Sequence, residues 1–311
     1  MKTIQKKRWE TGNMAGGQMT LSTLLRTYTE WKEQTGHSIS VVRNIRNVER
    51  HIRFFNDKEV LLAEVDTDYL RRFIHYLACE AKEQRHGGLR PLCHTTSRLY
   101  LRILSSTMRF ALRRGYIQQN PLESLERDDY KSISGGQRQR TYLTIDEVKR
   151  LIATPTRCVT IKRAFLFACF TGLRISDLSQ LRWKDIHTSG KDVSLSIQMK
   201  KTRRCVFIPL STNALRWLPT RRESTKVFPL PSHLGAVNAP LKTWVRKAGI
   251  DKTVTFHTSR HTFATMEITL GADLYVVSKL LGHSSITTTQ IYADIVDSKR
   301  IEAVRLMDNA F

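Results

Sequence analysis

His257-Thr258-Ser259-Arg260-His261, then Leu281-Gly282-His283, then Tyr292: the order and spacing of these residues decide how the whole chain is read. An earlier segment, Thr171-Gly172-Leu173-Arg174-Ile175-Ser176-Asp177, adds a second arginine. Two arginines, two or three histidines and one tyrosine are what phosphodiester transesterification needs when no metal takes part. Planar guanidinium forks hold non-bridging phosphate oxygens bidentately and keep their charge at any working pH. Imidazoles donate to developing negative charge or move protons near neutrality. A tyrosine hydroxyl attacks phosphorus to form a covalent intermediate. The sequence offers no carboxylate cluster of the Mg²⁺-binding kind, so no metal and no other cofactor is called for.

The local spacing sharpens these roles. Arg174 follows Gly172, which ends one helix, and stands where the next begins, so its side chain projects from a corner. His257 and Arg260 lie three apart and share a helical face, whereas His261 points about 100° round from Arg260 and supports the box. His283 follows Gly282 just past a helix end, and Tyr292 lies nine residues beyond it. Tyr275, the nearest rival nucleophile, is upstream of His283 and out of register. A free phenol has a pKa near 10. Neighbouring arginines and histidines lower the cost of the phenolate and stabilise the phosphorane.

These boxes resemble the tyrosine recombinase (integrase) family, which includes phage-type integrases, Xer-like recombinases and DNA invertases. The likeness runs over roughly residues 20 to 300. It implies that Arg174 and Arg260 clamp the scissile phosphate, His257 handles a proton or contacts phosphate, His283 donates to the phosphate, and Tyr292 is the nucleophile. Asp177 would orient an arginine rather than touch substrate. The family carries a catalytic lysine on a β-hairpin turn, which protonates the departing 5′ oxygen. Here that turn reads Lys200-Lys201-Thr202-Arg203-Arg204, favouring Lys201 with Lys200 as the alternative; a hairpin that only grips phosphate is the competing reading.

The same resemblance implies strand exchange through a 3′-phosphotyrosine and a Holliday junction, with no ATP, on paired double-stranded DNA sites held by a homotetramer. It allows an accessory DNA-bending protein and points to the bacterial cytoplasm, on the nucleoid. The biological outcomes left open are inversion, integration or excision of a mobile element, and dimer resolution. A type IB topoisomerase shares similar chemistry but not the helical domain expected here ahead of the catalytic one. A non-catalytic DNA-binding regulator has no use for the array.

Composition agrees with a polyanionic partner. The 311 residues carry a formal net charge of +23 with 41% apolar residues, a pairing that points to folded basic domains releasing counterions from DNA. No apolar run reaches the length of a membrane span, and Met1 to Lys7 lacks a signal peptide's apolar core. Five cysteines without Cys-x-x-Cys spacing argue for reduced thiols and against structural zinc.

The expected architecture is mostly α with a small β-sheet, in two domains. Residues 1–18 read as a flexible leader, too short for the arm-binding domain of large integrases. Residues 19–126 form a helical, SAM-like core-binding domain, 127–140 a linker around Ser134-Gly135-Gly136, and 141–311 the catalytic domain. In the helical domain, Arg43, Arg46, Arg50 and Arg53 make one basic stripe and Arg98, Arg102, Arg109 and Arg113 another, both read as DNA-facing. Asp66 is an expected N-cap, and Thr144 to Glu147 an expected capping box. Alternation through Val193 to Met199 and Cys205 to Ile208 predicts a β-hairpin. Beyond Tyr292, Ile295, Val296, Ile301, Val304, Leu306 and Met307 suggest an amphipathic tail that docks on a neighbouring subunit.

Overall fold

The computed structural model describes residues 19–85, 87–135, 140–201, 203–221 and 225–293, and the chain divides into two compact units, one ending at Arg138 and the other beginning at Gln139. The leader and the tail beyond Ala293 lie outside the described residues, as does Thr202 of the hairpin turn.

The first unit is built on α1 (Leu21–Gln34), α2 (Ile39–Phe55), α3 (Thr67–Cys79) and α4 (His94–Arg113). Two of these helices open on side-chain caps. Thr20 caps α1, and Asp66 caps α3 by accepting from the Tyr69 N–H at 2.7 Å. After α4 the chain turns at Gly115, whose φ of +72° is open to glycine at little cost. Leu24, Leu25, Ile45, Val48, Leu70, Phe73, Leu77 and Leu104 bury the apolar faces against one another. A small antiparallel hairpin, β1 (Lys82–Arg85) and β2 (Gly88–Pro91), leads into α4. The periodicity reading does not contain it, because Lys82-Glu83-Gln84-Arg85 shows no apolar alternation.

The stretch expected to be a linker is corrected for its first part. Residues Asp128–Ile133 form a 3-10 helix of the first unit. Ile133 is buried in that unit's core, and Asp129 takes an ion pair from Arg71 on α3 at 2.9 Å. The glycines and charges that suggested a linker conceal one buried isoleucine and one anchoring carboxylate.

The second unit opens at α5 (Ile145–Ala153) behind the expected Thr144–Glu147 capping box. It continues through the buried α6 (Val159–Thr171) and the short α7 (Ile175–Leu178). A three-stranded antiparallel sheet follows, in order β3 (Ile186–Ser189), β4 (Asp192–Gln198), β5 (Cys205–Pro209). The hairpin of β4 and β5 is as expected; β3 is additional. Then come α8 (Thr212–Leu215), α9 (Leu234–Lys247), α10 (Thr258–Thr269), α11 (Leu274–Leu280) and α12 (Thr287–Ala293). Phe165, Phe167, Leu195, Ile208, Val237, Trp244 and Phe256 make the main core. A second cluster, Phe263, Ala264, Ile268, Val277 and Leu281, surrounds Tyr292. Among the described residues no helix is long and apolar enough to cross a membrane.

Candidate active site

The site begins at the corner between α6 and α7. Gly172 ends α6 at φ +68°, and a Cβ there would stand 2.6 Å from Phe263 Cδ1 and 2.8 Å from Leu281 Cδ2. Only glycine lets the backbone turn this close to α10 and α11. Arg174 follows as the N-cap residue of α7. Its Nη1 is buried without a hydrogen-bond partner among the described residues, 3.9 Å from Asp177 Oδ2, which is likewise unpartnered. A buried donor left unmatched costs about 1–3 kcal/mol. An incoming anion would relieve that cost at Arg174.

Asp177 does more than face an arginine. Its Oδ1 accepts the Lys200 backbone N–H at 2.8 Å, so it fixes the hairpin turn to the corner. The turn's other end is tied by Arg204 Nη1, which donates to the His283 carbonyl at 3.1 Å. Lys201 projects from this anchored turn, exposed, and its charge bears on His257.

His257 is the N-cap residue of α10, and Arg260 falls in the helix's first turn. Arg260 is only 2% exposed. Its Nη1 donates to the Gly172 carbonyl at 2.8 Å and its Nη2 to the Leu281 carbonyl at 2.6 Å. These satisfy carbonyls at the ends of α6 and α11 and leave the remaining donors of the fork for a ligand. Burial and the nearby Arg174 hold its pKa down to about 9, still charged at neutral pH.

His261, read from the sequence as support for the box, reaches Tyr292, its Nδ1 2.7 Å from Tyr292 Oη. Its ring meets His257 edge to face, with centroids 4.7 Å apart, as four-residue spacing on a helix allows. That spacing was the available signal. His283 follows Gly282, whose φ is +63°, and its Nδ1 is held 2.7 Å from Thr289 Oγ1 on α12. This leaves Nε2 as the ring nitrogen to face a substrate.

Burial, then the surrounding cations, hold His261 and His283 at about 4, and His257 is lowered by the same causes. The two at about 4 are neutral at pH 7, able to hydrogen-bond or to take up a proton. Tyr292 is 2% exposed, and burial raises its pKa. The charges of Arg140, Arg260 and Arg174 oppose that rise.

The structure thus gathers Arg174, His257, Arg260, His261, His283 and Tyr292, with Asp177 behind Arg174 and Lys201 at the edge. The arginine stripes belong to the first unit. All eight residues are exposed, but Arg46 pairs with Glu33 and Arg53 with Glu49, both at 2.7 Å. None of Arg98, Arg102, Arg109 and Arg113 makes an ion pair among the described residues.

Residues 141–299 match the model of the phage integrase family, and residues 20–131 that of the phage integrase SAM-like domain. A tyrosine recombinase of Thermosipho africanus is 32% identical over 220 residues, covering 68% of this chain and 75% of that one. Tyrosine recombinase XerC of Pelobacter propionicus is 30% identical over 247 residues, covering 75% and 76%. Among solved structures, a lambda integrase dimer bound to a COC′ core site superposes with a TM-score of 0.68 at 23% identity, over 88% of this chain and 95% of that one. The Tn1549 transposon integrase in complex with transposon right end DNA gives 0.72 at 19% identity, over 93% and 100%. At those identities the superpositions speak to the fold.

Proposed function

This chain belongs to the phage integrase family of tyrosine recombinases, and from that premise we propose that it cuts and rejoins double-stranded DNA at specific sites through a 3′-phosphotyrosine. The observation that carries the reading is the setting of one hydroxyl. Tyr292 Oη is buried, 2.7 Å from a neutral imidazole, in the field of three arginines.

In the proposed step, Oη bonds to phosphorus, the P–O5′ bond breaks, and the 5′ oxygen leaves. The phenol's proton passes to His261 Nδ1, and Lys201 protonates the leaving oxygen. Arg174 and Arg260 hold the non-bridging oxygens, where charge accumulates, with His257 and His283 as further donors. The phosphotyrosine conserves the bond energy, so the 5′ hydroxyl of an exchanged strand reverses the step without ATP. Two rounds through a Holliday junction, on paired sites held by a tetramer, complete the exchange; an accessory DNA-bending protein would shape the sites. The XerC relative and the mobile-element integrases leave dimer resolution, integration or excision, and inversion as the roles to distinguish.

The test is a nicked suicide substrate carrying the chain's own junction sequence, mapped in its native genome. Tyr292→Phe should retain DNA binding and form no covalent adduct. An adduct in that variant, or one mapping to Tyr275, would remove the assignment.

A further inference from the structure

The turn between β4 and β5 places Lys200, Lys201, Arg203 and Arg204 within five consecutive positions. Like charges so close repel one another and would splay a turn that nothing else held. The backbone is strained as well. Arg203 sits at φ +58°, the only non-glycine residue in the left-handed region among the described residues. Such a conformation persists where its surroundings impose it. Here the Arg203 N–H donates to the Met199 carbonyl at 2.8 Å, and the Met199 N–H to the Arg204 carbonyl at 2.8 Å. Gln198 Nε2 donates to the Arg203 carbonyl at 3.2 Å.

Among the described residues, two hydrogen bonds tie this closed turn to the helices beside it, one at each end. Lys200 donates its N–H to Asp177 Oδ1 at 2.8 Å, and Arg204 Nη1 donates to the His283 carbonyl at 3.1 Å. The two partners of the second bond are not equally fixed. His283 is held without Arg204: its N–H donates to the Ser278 carbonyl at 3.1 Å, and its Nδ1 lies 2.7 Å from Thr289 Oγ1. Gly282 before it lies against the hairpin's base, where a Cβ would stand 3.0 Å from Val206 Cγ2 and 3.4 Å from Met199 Cε. The His283 backbone is therefore the anchor, and the turn that carries Lys201 is what it moors.

We propose that Arg204 is a positioning residue, whose bond to the His283 carbonyl holds the turn so that Lys201 meets the departing 5′ oxygen. This rests on Lys201 being the proton donor. In that step the P–O5′ bond breaks, its electron pair stays on O5′, and Lys201 Nζ gives O5′ the proton. Arg204 acts through Lys201, so its loss should matter only where the leaving group needs that proton. An arginine that gripped phosphate would matter whatever the leaving group.

The test uses the full-length chain at saturating concentration on two nicked substrates, one with the natural phosphodiester and one with sulfur in place of the bridging 5′ oxygen. Sulfur leaves as a thiolate, and with a thiol pKa near 8.5 it needs no proton from lysine. We expect Arg204→Met to unfold thermally as the wild type does and to form adduct about tenfold more slowly on the phosphodiester, the scale of losing one charge-assisted hydrogen bond. On the sulfur substrate it should match the wild type. Arg204→Lys, which keeps a donor, should recover part of the loss. Added to Lys201→Ala, Arg204→Met should slow the phosphodiester reaction no further, since one residue acts through the other. A wild-type rate for Arg204→Met on the phosphodiester, an equal loss on both substrates, or a further loss in the double variant overturns the positioning role. Lys201→Ala remaining slow on the sulfur substrate would instead remove the reading beneath it.

Discussion

On α4, Arg98, Arg102, Arg109 and Arg113 stand in solvent, whereas in the second unit Arg260 is 2% exposed and Arg174 shows 16% of its side chain. The difference is one of physics more than of sequence. An exposed guanidinium acts through a field that physiological salt screens within about 8 Å. Its contribution is roughly additive along a stripe and tolerant of geometry. A buried guanidinium acts through directed hydrogen bonds in a low-dielectric setting, where misplacement and loss are both costly. The first kind suits holding a polyanion anywhere along its backbone. The second suits one phosphorus atom in one geometry.

The sharpest break between the two kinds should come from a substitution that keeps charge and removes shape. Arg260→Lys retains a cation but cannot serve the Gly172 and Leu281 carbonyls with one fork while still facing a phosphate. We expect adduct formation to fall by about 10²–10³-fold. Thermal unfolding should also move down, because a buried carbonyl left without its donor costs about 1–3 kcal/mol. Arg102→Lys on α4, as the paired control, should change neither rate nor stability. Equal effects of the two substitutions would erase the distinction.

Acid separates the regions next. His261 and His283, pressed down to about 4 by burial and by neighbouring cations, stay neutral in the folded chain where the unfolded chain takes up protons. Between their ordinary 6.5 and about 4 the unfolded state therefore binds more protons, and the stability these two groups confer is lost as pH falls through that window. It is fully present above about pH 6.5. Calorimetry between about pH 7 and pH 4 should show the fall, and a His261→Gln, His283→Gln variant should flatten it. A slope unchanged by the double substitution would mean that other groups carry the acid sensitivity.

How much of this was legible follows from where the signal lay. The helices α1 to α4 were readable because each buries an apolar face at regular spacing, as Val42, Ile45, Val48 and Ile52 do on α2. The strands β1 and β3 were not. Lys82-Glu83-Gln84-Arg85 and Ile186-His187-Thr188-Ser189 pair through backbone hydrogen bonds with almost no apolar alternation to announce them. In the site, Arg174, Arg260, His283 and Tyr292 announced themselves as boxes with fixed spacing. The contact of His261 with Tyr292 is less legible, since the four-residue step from His257 signals only that the two rings meet. The tie between Leu143 and Thr262, 119 residues apart, carried no local signal either, being a contact only the tertiary fold makes.

The smallest effect expected is the most discriminating between the two stripes. On α2, Arg46 and Arg53 are engaged by Glu33 and Glu49, and Glu49 also takes Arg26 at 2.9 Å. Such exposed pairs contribute only about 0–1 kcal/mol to stability. They nonetheless halve the number of α2 arginines free to displace counterions from a phosphate backbone, since Arg43 and Arg50 alone remain without an ion pair among the described residues. The α4 arginines have no such partners among the described residues. If both faces touch DNA, each lost contact should lower the log–log salt slope by about 0.9. Replacing the four α4 arginines with Gln should therefore flatten the slope more than replacing the four on α2. Binding should weaken similarly on specific and random duplexes, since phosphate contacts position without reading bases. Equal flattening would show that the glutamates release their arginines on binding. A larger change from α2 would make that helix the principal DNA face and α4 the solvated one.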